Sequence, residues 1–155
     1  KFWNENETKS EYNKLRCFDK SVCSFGDNEQ FIEEMFPVNQ VYSCKISCIV
    51  SRNGWRPKPI GEFLSLLQRY LPHNFEIRCT MEYTNCPPPY KIFWKVRNVG
   101  VEAERRNMLR GEIYERGNSI VEHSNFFGKH YIECYIVKDG VCVAKDKVDI
   151  PIGKG

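Results

Sequence analysis

The hydrophobic and polar positions of this chain alternate with a period of two over most of its length. Six alternating stretches predict strands, at 41–52, 74–83, 90–98, 111–124, 130–138 and 141–152. Two segments follow the helical period instead. A short helix is predicted over 29–36, which Asp27 and Asn28 can cap and Pro37 ends, and a longer amphipathic helix over 60–71.

Tight-turn dipeptides separate several of these strands. Asn53-Gly54 follows the first strand, and Asp139-Gly140 joins the last two as a two-residue β-hairpin loop. The stretch 111–124 predicts two short strands about Gly117-Asn118. Because about seven short strands separated by turns are typical of sandwiches, we expect a mainly β fold. The predicted architecture is an immunoglobulin-like β-sandwich with one inserted amphipathic helix and a short N-terminal helix.

Residues 1–27 have a different composition from the rest, with many polar and charged residues and few apolar ones. This predicts a linker from an upstream domain, followed by one folded domain over 28–153. A first residue of Lys1 rather than Met fits a piece of a longer protein. The 155 residues suffice for one core, and no stretch of ~18 apolar residues predicts a membrane span. The net charge of +3 permits an anionic partner without requiring one.

The eight cysteines are an unusually high number for a chain of this length. Most of them lie inside the apolar strand-like runs, as Cys44, Cys48, Cys134 and Cys142 do. Buried thiols behave as small hydrophobic residues, so free thiols in a reducing cytosol are the favoured interpretation. Disulfides remain an alternative because the number is even, whereas a zinc site has little support because no Cys-x-x-Cys pair occurs.

Catalytic motifs of recognisable spacing do not occur in the sequence. It contains no nucleophile elbow, no phosphate-binding glycine loop, no His-Glu-x-x-His and no Asp pair on a strand followed by basic residues. The three histidines, His73, His123 and His130, stand apart from one another. A lone histidine such as His130 at a strand start is more often structural than catalytic, so the sequence favours neither an enzyme nor a metal site.

Arginines concentrate on the connector that follows the strand at 90–98. Arg97, Arg105, Arg106 and Arg110 lie near Glu102, and arginine forks suit phosphate or carboxylate oxygens. If the connector is helical, Arg106 and Arg110 share a face and Glu102 lies one turn before Arg106. An internal ion pair and an anion-binding surface therefore both remain open.

Two further groups could bind a ligand. Trp55 and Arg56, with Lys58 nearby, follow a tight turn and could stack a base and pair with a phosphate. Trp55 could equally hold the edge of the sandwich. His130 and Lys138 lie on the last hairpin, where they could contact a ligand or form its solvated end.

Two long stretches of the C-terminal half resemble a known family. WKVRNVGVEAERRNMLRGEI at 94–113 and GKHYIECYIVKDGVCVAKDKVDIPI at 128–152 are similar to the adenylyl/guanylyl cyclase and SMODS C-terminal sensor domain. FIEEMFPV at 31–38 and the Asn-Gly-Trp-Arg-Pro turn at 53–57 are similar to the stretch that opens that domain. The resemblance covers residues 28–152.

This resemblance implies a regulatory role rather than catalysis. In the family, the domain follows a nucleotidyltransferase of bacterial CBASS antiphage systems or a nucleotide cyclase of Pycsar systems, and it senses an infection cue or controls that enzyme. The expected partners are the upstream domain and an anionic ligand, nucleic acid or phage component, with a cytoplasmic location, no membrane and no cofactor.

The polar residues of the matching motifs are carried over as the expected ligand contacts. These are Arg105, Arg106, Arg110, His130 and Lys138. Three further expected contacts rest on the charge and aromatic pattern alone: Arg97, Trp55 and Arg56. A nucleic-acid-binding module and a module for protein interaction or oligomerisation remain the alternatives.

Overall fold

A computed structural model describes residues 28–66, 70–106 and 109–153, so the linker predicted over 1–27 lies outside the described residues. The strands are β1 (Cys44–Ser51), β2 (Lys58–Pro59), β3 (Glu76–Thr84), β4 (Lys91–Arg97), β5 (Ile113–Glu115), β6 (Ser119–His123), β7 (Gly128–Lys138) and β8 (Val141–Ile152). The helices are α1 (Ile32–Met35), α2 (Ile60–Leu66) and α3 (Val101–Arg105).

The strands form two four-stranded antiparallel sheets, which confirms the predicted β-sandwich. Sheet one has the order β2-β1-β3-β6, and sheet two has the order β5-β4-β7-β8. The two strands predicted about Gly117-Asn118 are present but belong to different sheets. β5 pairs with β4, whereas β6 pairs with β3. The chain therefore crosses between the sheets at Gly117, whose carbonyl oxygen accepts a 2.9 Å hydrogen bond from Trp94 Nε1.

The main core lies between the two sheets, where the inward positions of both sheets meet. Alternate residues of β1 and β3, such as Val50 and Ile77, pack against Ile132 and Ile136 of β7. Each of these four side chains is at most 2 % exposed. Burial of this kind is worth about 1.5–3 kcal/mol per large aliphatic side chain and is the main force that joins the sheets.

Residues 28–39 cover the outer face of sheet two, and we call this segment the N-terminal strap. Its Ile32 joins a second apolar cluster, with Phe36 and Val38 packed against it. The sheet contributes Phe93, Ile113, Tyr135, Val137 and Cys142 to that cluster. α1 lies within the strap and begins at Ile32 with Phe31 as its N-cap, so the predicted capping by Asn28 is wrong, and Asp27 lies outside the described residues.

The amphipathic helix begins where the sequence predicts and is described only as far as Leu66. Ile60 and Phe63 of α2 face the core, whereas Leu66 is 61 % exposed and lies about 60° around the helix from Phe63 and about 120° from Ile60. Leu71, at the end of the predicted helix, is fully buried and pairs with Ile152 of β8. β2 is a two-residue edge strand, as its prolines require.

The last hairpin has the predicted two-residue loop. Asp139 and Gly140 both have positive φ, 51° and 74°, which is the backbone that an Asp-Gly hairpin turn favours. β7 and β8 pair over their whole length, from Gly128 opposite Ile152 to Lys138 opposite Val141. This hairpin is the longest pairing in the described part of the fold.

The prediction that the cysteines are free thiols is wrong for one pair. Cys48 of β1 and Cys79 of β3 face each other across the sheet and form a disulfide. Their Cβ atoms point into the same core because paired positions share a face. Cys86, Cys134 and Cys142 are buried free thiols, as predicted, and Cys44 is a partly buried one. Burial raises the pKa of the Cys44 thiol to about 12, so this thiol stays protonated at neutral pH.

Candidate functional site

A cavity of about 110 Å³ opens at one end of the sandwich, where the sheets separate. Its apolar floor comes from both sheets and consists of Ile77, Val96, Ile132, Ile150 and Ile152. Sites for whole drug-sized ligands are usually about 300–1,000 Å³. The cavity is therefore large enough for one group of a ligand, with the remainder of that ligand outside.

An ion pair between the two sheets lies at the mouth of this cavity. Arg110 precedes β5 in sheet two, and Glu122 lies on β6 in sheet one. The guanidinium donates from Nη1 to Glu122 Oε2 at 2.8 Å and from Nη2 to Oε1 at 3.2 Å. The two side chains are 40 % and 24 % exposed. Two parallel bonds are the stronger form of a guanidinium–carboxylate pair, so an anion that replaces Glu122 would have to offer two acceptor oxygens.

His130 forms part of the cavity wall and has both ring nitrogens engaged. Nδ1 accepts from the Val99 amide at 3.1 Å, and Nε2 donates to the Phe126 carbonyl at 2.8 Å. Burial lowers the pKa of His130 from its ordinary value, against the smaller raising effect of the backbone hydrogen bonds. The ring is therefore neutral at pH 7 and fixes the loop between β6 and β7.

Arg97 is buried beneath the N-terminal strap, and its guanidinium points away from solvent. Nη1 donates to the Arg110 carbonyl at 3.1 Å, and Nη2 lies 3.2 Å from Glu29 Oε2. The side chain thus connects the backbone at the cavity mouth to the strap. The sequence predicted Arg97 as a ligand contact. In the fold it does not line the cavity but bonds to the backbone of Arg110, which does.

The two arginines at the end of α3 are exposed. Arg106 Nη2 lies 3.4 Å from Glu102 Oε1, and its guanidinium lies 5.5 Å from the ring centroid of Phe126, another cavity residue. The internal ion pair that the spacing allowed is therefore present. α3 ends at Arg105, so Arg110 does not share its helical face and pairs with Asn98 instead.

Glu102 connects α3 to the loop above the cavity. Its Oε2 accepts a 2.7 Å hydrogen bond from the Phe127 amide, and this bond is the largest cause of a lowered pKa at that carboxyl. His73 stacks on the Phe127 ring with centroids 3.9 Å apart. The basic connector is thereby held to the cavity rim.

The remaining predicted contacts lie in two other places. Lys138 Nζ donates to the carbonyls of Pro87 and Pro89, at 2.8 and 3.1 Å. It is eight residues along β7 from His130, about 26 Å away. Trp55 and Arg56 are exposed on the turn after β1.

Trp55 is 53 % exposed, and its ring centroid lies 6.3 Å from those of Phe63 and Phe75. The turn that carries it borders a shallow depression with Arg52, Asn74 and His123 in its lining. His123 also lines the cavity, so this surface adjoins the cavity end of the sandwich.

Sequence reasoning brought Arg110 and His130 to the cavity but missed several of its other polar residues. Asn98, Glu122 and Asn125 carried no signal as binding residues, because single polar residues on strands and loops are ordinary surface positions. Only the crossing of the chain between sheets places Glu122 opposite Arg110.

Within the described ranges, no group of three or more His, Cys, Asp and Glu side chains could hold a metal ion. No helix in the same part of the chain has the length and apolar character needed to cross a membrane.

Comparison with known proteins adds one match that covers most of the chain. Residues 26–153 match the family model of the adenylyl/guanylyl and SMODS C-terminal sensor domain. No curated protein and no solved structure matches the chain. The family is one of sensor domains, in agreement with the resemblance of the motifs at 94–113 and 128–152. The chain therefore belongs to the adenylyl/guanylyl and SMODS C-terminal sensor domain family.

Proposed function

We propose that this chain is a non-catalytic regulatory domain that controls a cyclic-nucleotide-producing enzyme preceding it in a bacterial antiphage system. A nucleotidyltransferase of the CBASS type is the proposed parent, and a Pycsar nucleotide cyclase is the alternative parent. In the cytoplasm, the domain binds a ligand that is present during infection, and this binding controls synthesis by the enzyme. Membership of a sensor-domain family supports this role.

The observation that carries the proposal is the Arg110–Glu122 pair at the mouth of an apolar cavity. A ligand with one apolar group and one anionic group would place the first on the isoleucine floor and the second on Arg110. Glu122 would then turn into solvent, where its carboxylate is hydrated. Because the incoming anion replaces Glu122 on the same guanidinium, Arg110 keeps a charged partner, and burial of the apolar group supplies the affinity.

The contacts behind Arg110 supply a route from the ligand to the N-terminal strap. The Arg110 carbonyl accepts from Arg97, and the Gly111 carbonyl accepts a 2.9 Å hydrogen bond from the Gln30 amide. A shift of this backbone therefore alters contacts of residues that precede the first helix. In the proposed protein, those residues follow the linker that comes from the enzyme.

The test measures nucleotide products of the natural full-length protein in bacteria before and after phage infection. Arg110→Gln should lower the infection-induced product by about tenfold or more, the equivalent of about 1.4 kcal/mol of lost ligand binding. Arg78→Gln is the matched control, because Arg78 is exposed on the outer face of sheet one and pairs only with Glu76 among the described residues. Normal induction in a folded Arg110→Gln variant would overturn the proposed site.

A nucleic-acid-binding module is the second candidate function, favoured by the half-exposed Trp55 ring beside Arg56. Such a ring can stack a base, and its removal costs about 1–3 kcal/mol per stacked base. Affinity for single-stranded and double-stranded RNA and DNA at two salt concentrations tests this function. Trp55→Ala should weaken binding at both concentrations, and an absence of binding at low salt would remove the candidate.

A further inference from the structure

Two buried cations lie side by side under the N-terminal strap. Lys95 and Arg97 are alternate residues of β4 and share its outer face, yet they are only 2 % and 8 % exposed. Cations are almost never buried this deeply without an anion. Their burial requires that the strap supply negative charge.

Glu29 supplies that charge through both carboxylate oxygens. Lys95 Nζ lies 3.1 Å from Oε1, and Arg97 Nη2 lies 3.2 Å from Oε2. The Tyr131 hydroxyl donates to Oε1 at 3.3 Å. Burial and then the charge of Glu29 raise the pKa of Tyr131 to about 12, so this hydroxyl keeps its proton and remains a donor.

The three donors belong to the sheet, whereas the acceptor belongs to the strap. Arg97 is positioned by its bond to the Arg110 carbonyl, and Lys95 lies 5.7 Å from the Tyr131 ring centroid. The paired backbones of β4 and β7 keep the three residues side by side if Glu29 leaves, whereas the contact of Lys95 Nζ with the Phe31 ring, 4.7 Å from its centroid, belongs to the strap and would be lost. The sheet therefore carries a preformed anion-binding cradle, defined by Lys95, Arg97 and Tyr131.

We propose that this cradle is a binding site for a phosphoryl group, which Glu29 occupies as an internal substitute. An arginine fork, a lysine point charge and a hydroxyl donor suit three phosphoryl oxygens as well as they suit a carboxylate. The carboxylate of Glu29 and a phosphoryl group cannot occupy the cradle at the same time. This site goes beyond the proposed function and does not depend on the cavity ligand.

Only the first residues of the strap have to move for this exchange. Ile32 remains anchored in the apolar cluster, while the Gln30 contacts with Gly111 and Ile113 lie beside Glu29. Gly111 also allows a close fit, since a Cβ at that position would lie 2.9 Å from Glu29 Cα. The exchange thus releases 28–31 from the sheet without unfolding the sandwich.

The experiment uses this chain with Glu29→Ala, which empties the cradle. Removal of one partner of a buried charge group destabilises the fold, so the variant should melt at a lower temperature than the parent chain. Inorganic phosphate should then raise its Tm by about 3–6 °C over chloride at equal ionic strength. The unaltered chain should need about tenfold more phosphate for the same response. Its Glu29 belongs to the same chain and therefore competes for the cradle at high effective concentration.

Two variants isolate the cradle from general effects of charge. Glu33→Ala removes a strap carboxylate whose ion pair with Lys145 is exposed, so it should show no phosphate-specific rise in Tm. Glu29→Ala combined with Lys95→Met should lose the rise that Glu29→Ala shows. Equal responses of the single and double variants would overturn the proposal.

A measurement on the unaltered chain covers the case in which Glu29→Ala does not fold. Phosphate should speed hydrogen exchange of the Gln30 and Ile113 amides, which bond across the strap contact, and leave the β7 amides unchanged. AMP and adenosine differ only in the phosphoryl group. A response to AMP but not to adenosine therefore assigns binding to that group. No response to phosphate or AMP, or an equal response to adenosine, would overturn the site.

Discussion

Replacement of His130 by alanine tests how far the cavity wall depends on one neutral imidazole. The change leaves the Val99 amide and the Phe126 carbonyl without their partner, at about 1–3 kcal/mol each, and enlarges the cavity. We expect a loss of about 3–5 kcal/mol in the free energy of unfolding at pH 7.5. Urea denaturation followed by tryptophan fluorescence measures it.

The same variant should change the pH dependence of stability. Burial lowers the pKa of His130 in the folded state, so the unfolded chain binds a proton first as the pH falls through 6.5. The wild type therefore loses stability below pH 6.5, by at most about 1.4 kcal/mol per pH unit, until the folded-state pKa is reached. Since the variant lacks this loss, its deficit relative to wild type should shrink between pH 7.5 and 5.5.

The exposed His123 on β6 provides the control, because His123→Ala removes an imidazole from the same cavity lining without removing a buried one. Its effect on stability should be below about 0.5 kcal/mol. A deficit of His130→Ala that stays constant with pH would refute the assignment of a neutral buried ring.

Three further predictions concern the rest of the fold. Ser124→Ala removes the buried hydroxyl that accepts from the Phe75 amide at 2.8 Å, so urea denaturation should show a loss of about 1–3 kcal/mol. Reduction of Cys48–Cys79 opens a 31-residue separation and should lower stability by about 2–4 kcal/mol, measured as Tm with and without reductant; an unchanged Tm would contradict a closed bridge. The lowered pKa of the Glu102 carboxyl stabilises the fold above pH 4.5, and this contribution is lost as the pH falls further. In Glu102→Gln, the free energy of unfolding should therefore fall less steeply below pH 4.5.

The strands and their faces were largely predictable, whereas their partners in the sheets were not. Alternation and the Asp139-Gly140 dipeptide are local signals, and they placed the last hairpin correctly. β5 and β6 show the limit of such signals. Their alternation indicates which side chains face a core but contains no information about the sheet that each strand joins.

The sequence predicted site residues that form an unusual cluster of one type, but not single polar residues of common types. The cluster of arginines pointed to Arg110, and that residue lies at the cavity mouth. Lys95 alternates along β4 with Trp94 and Val96, which face the main core, so its position in the sequence is that of a solvent-facing residue. Its burial depends on the strap, whose Glu29 lies 66 residues earlier in the chain, and such distant coverage leaves no periodic pattern in the sequence.

The strap also determines the order in which this chain can complete its fold during synthesis. Glu29 leaves the ribosome early, but its partner Tyr131 follows 102 residues later. At about 5–20 residues per second, the apolar Ile32 and Phe36 wait on the order of 5–20 s for the sheet that buries them. The nascent chain thus carries an uncovered hydrophobic segment until β7 emerges, and in this interval it depends most on chaperones.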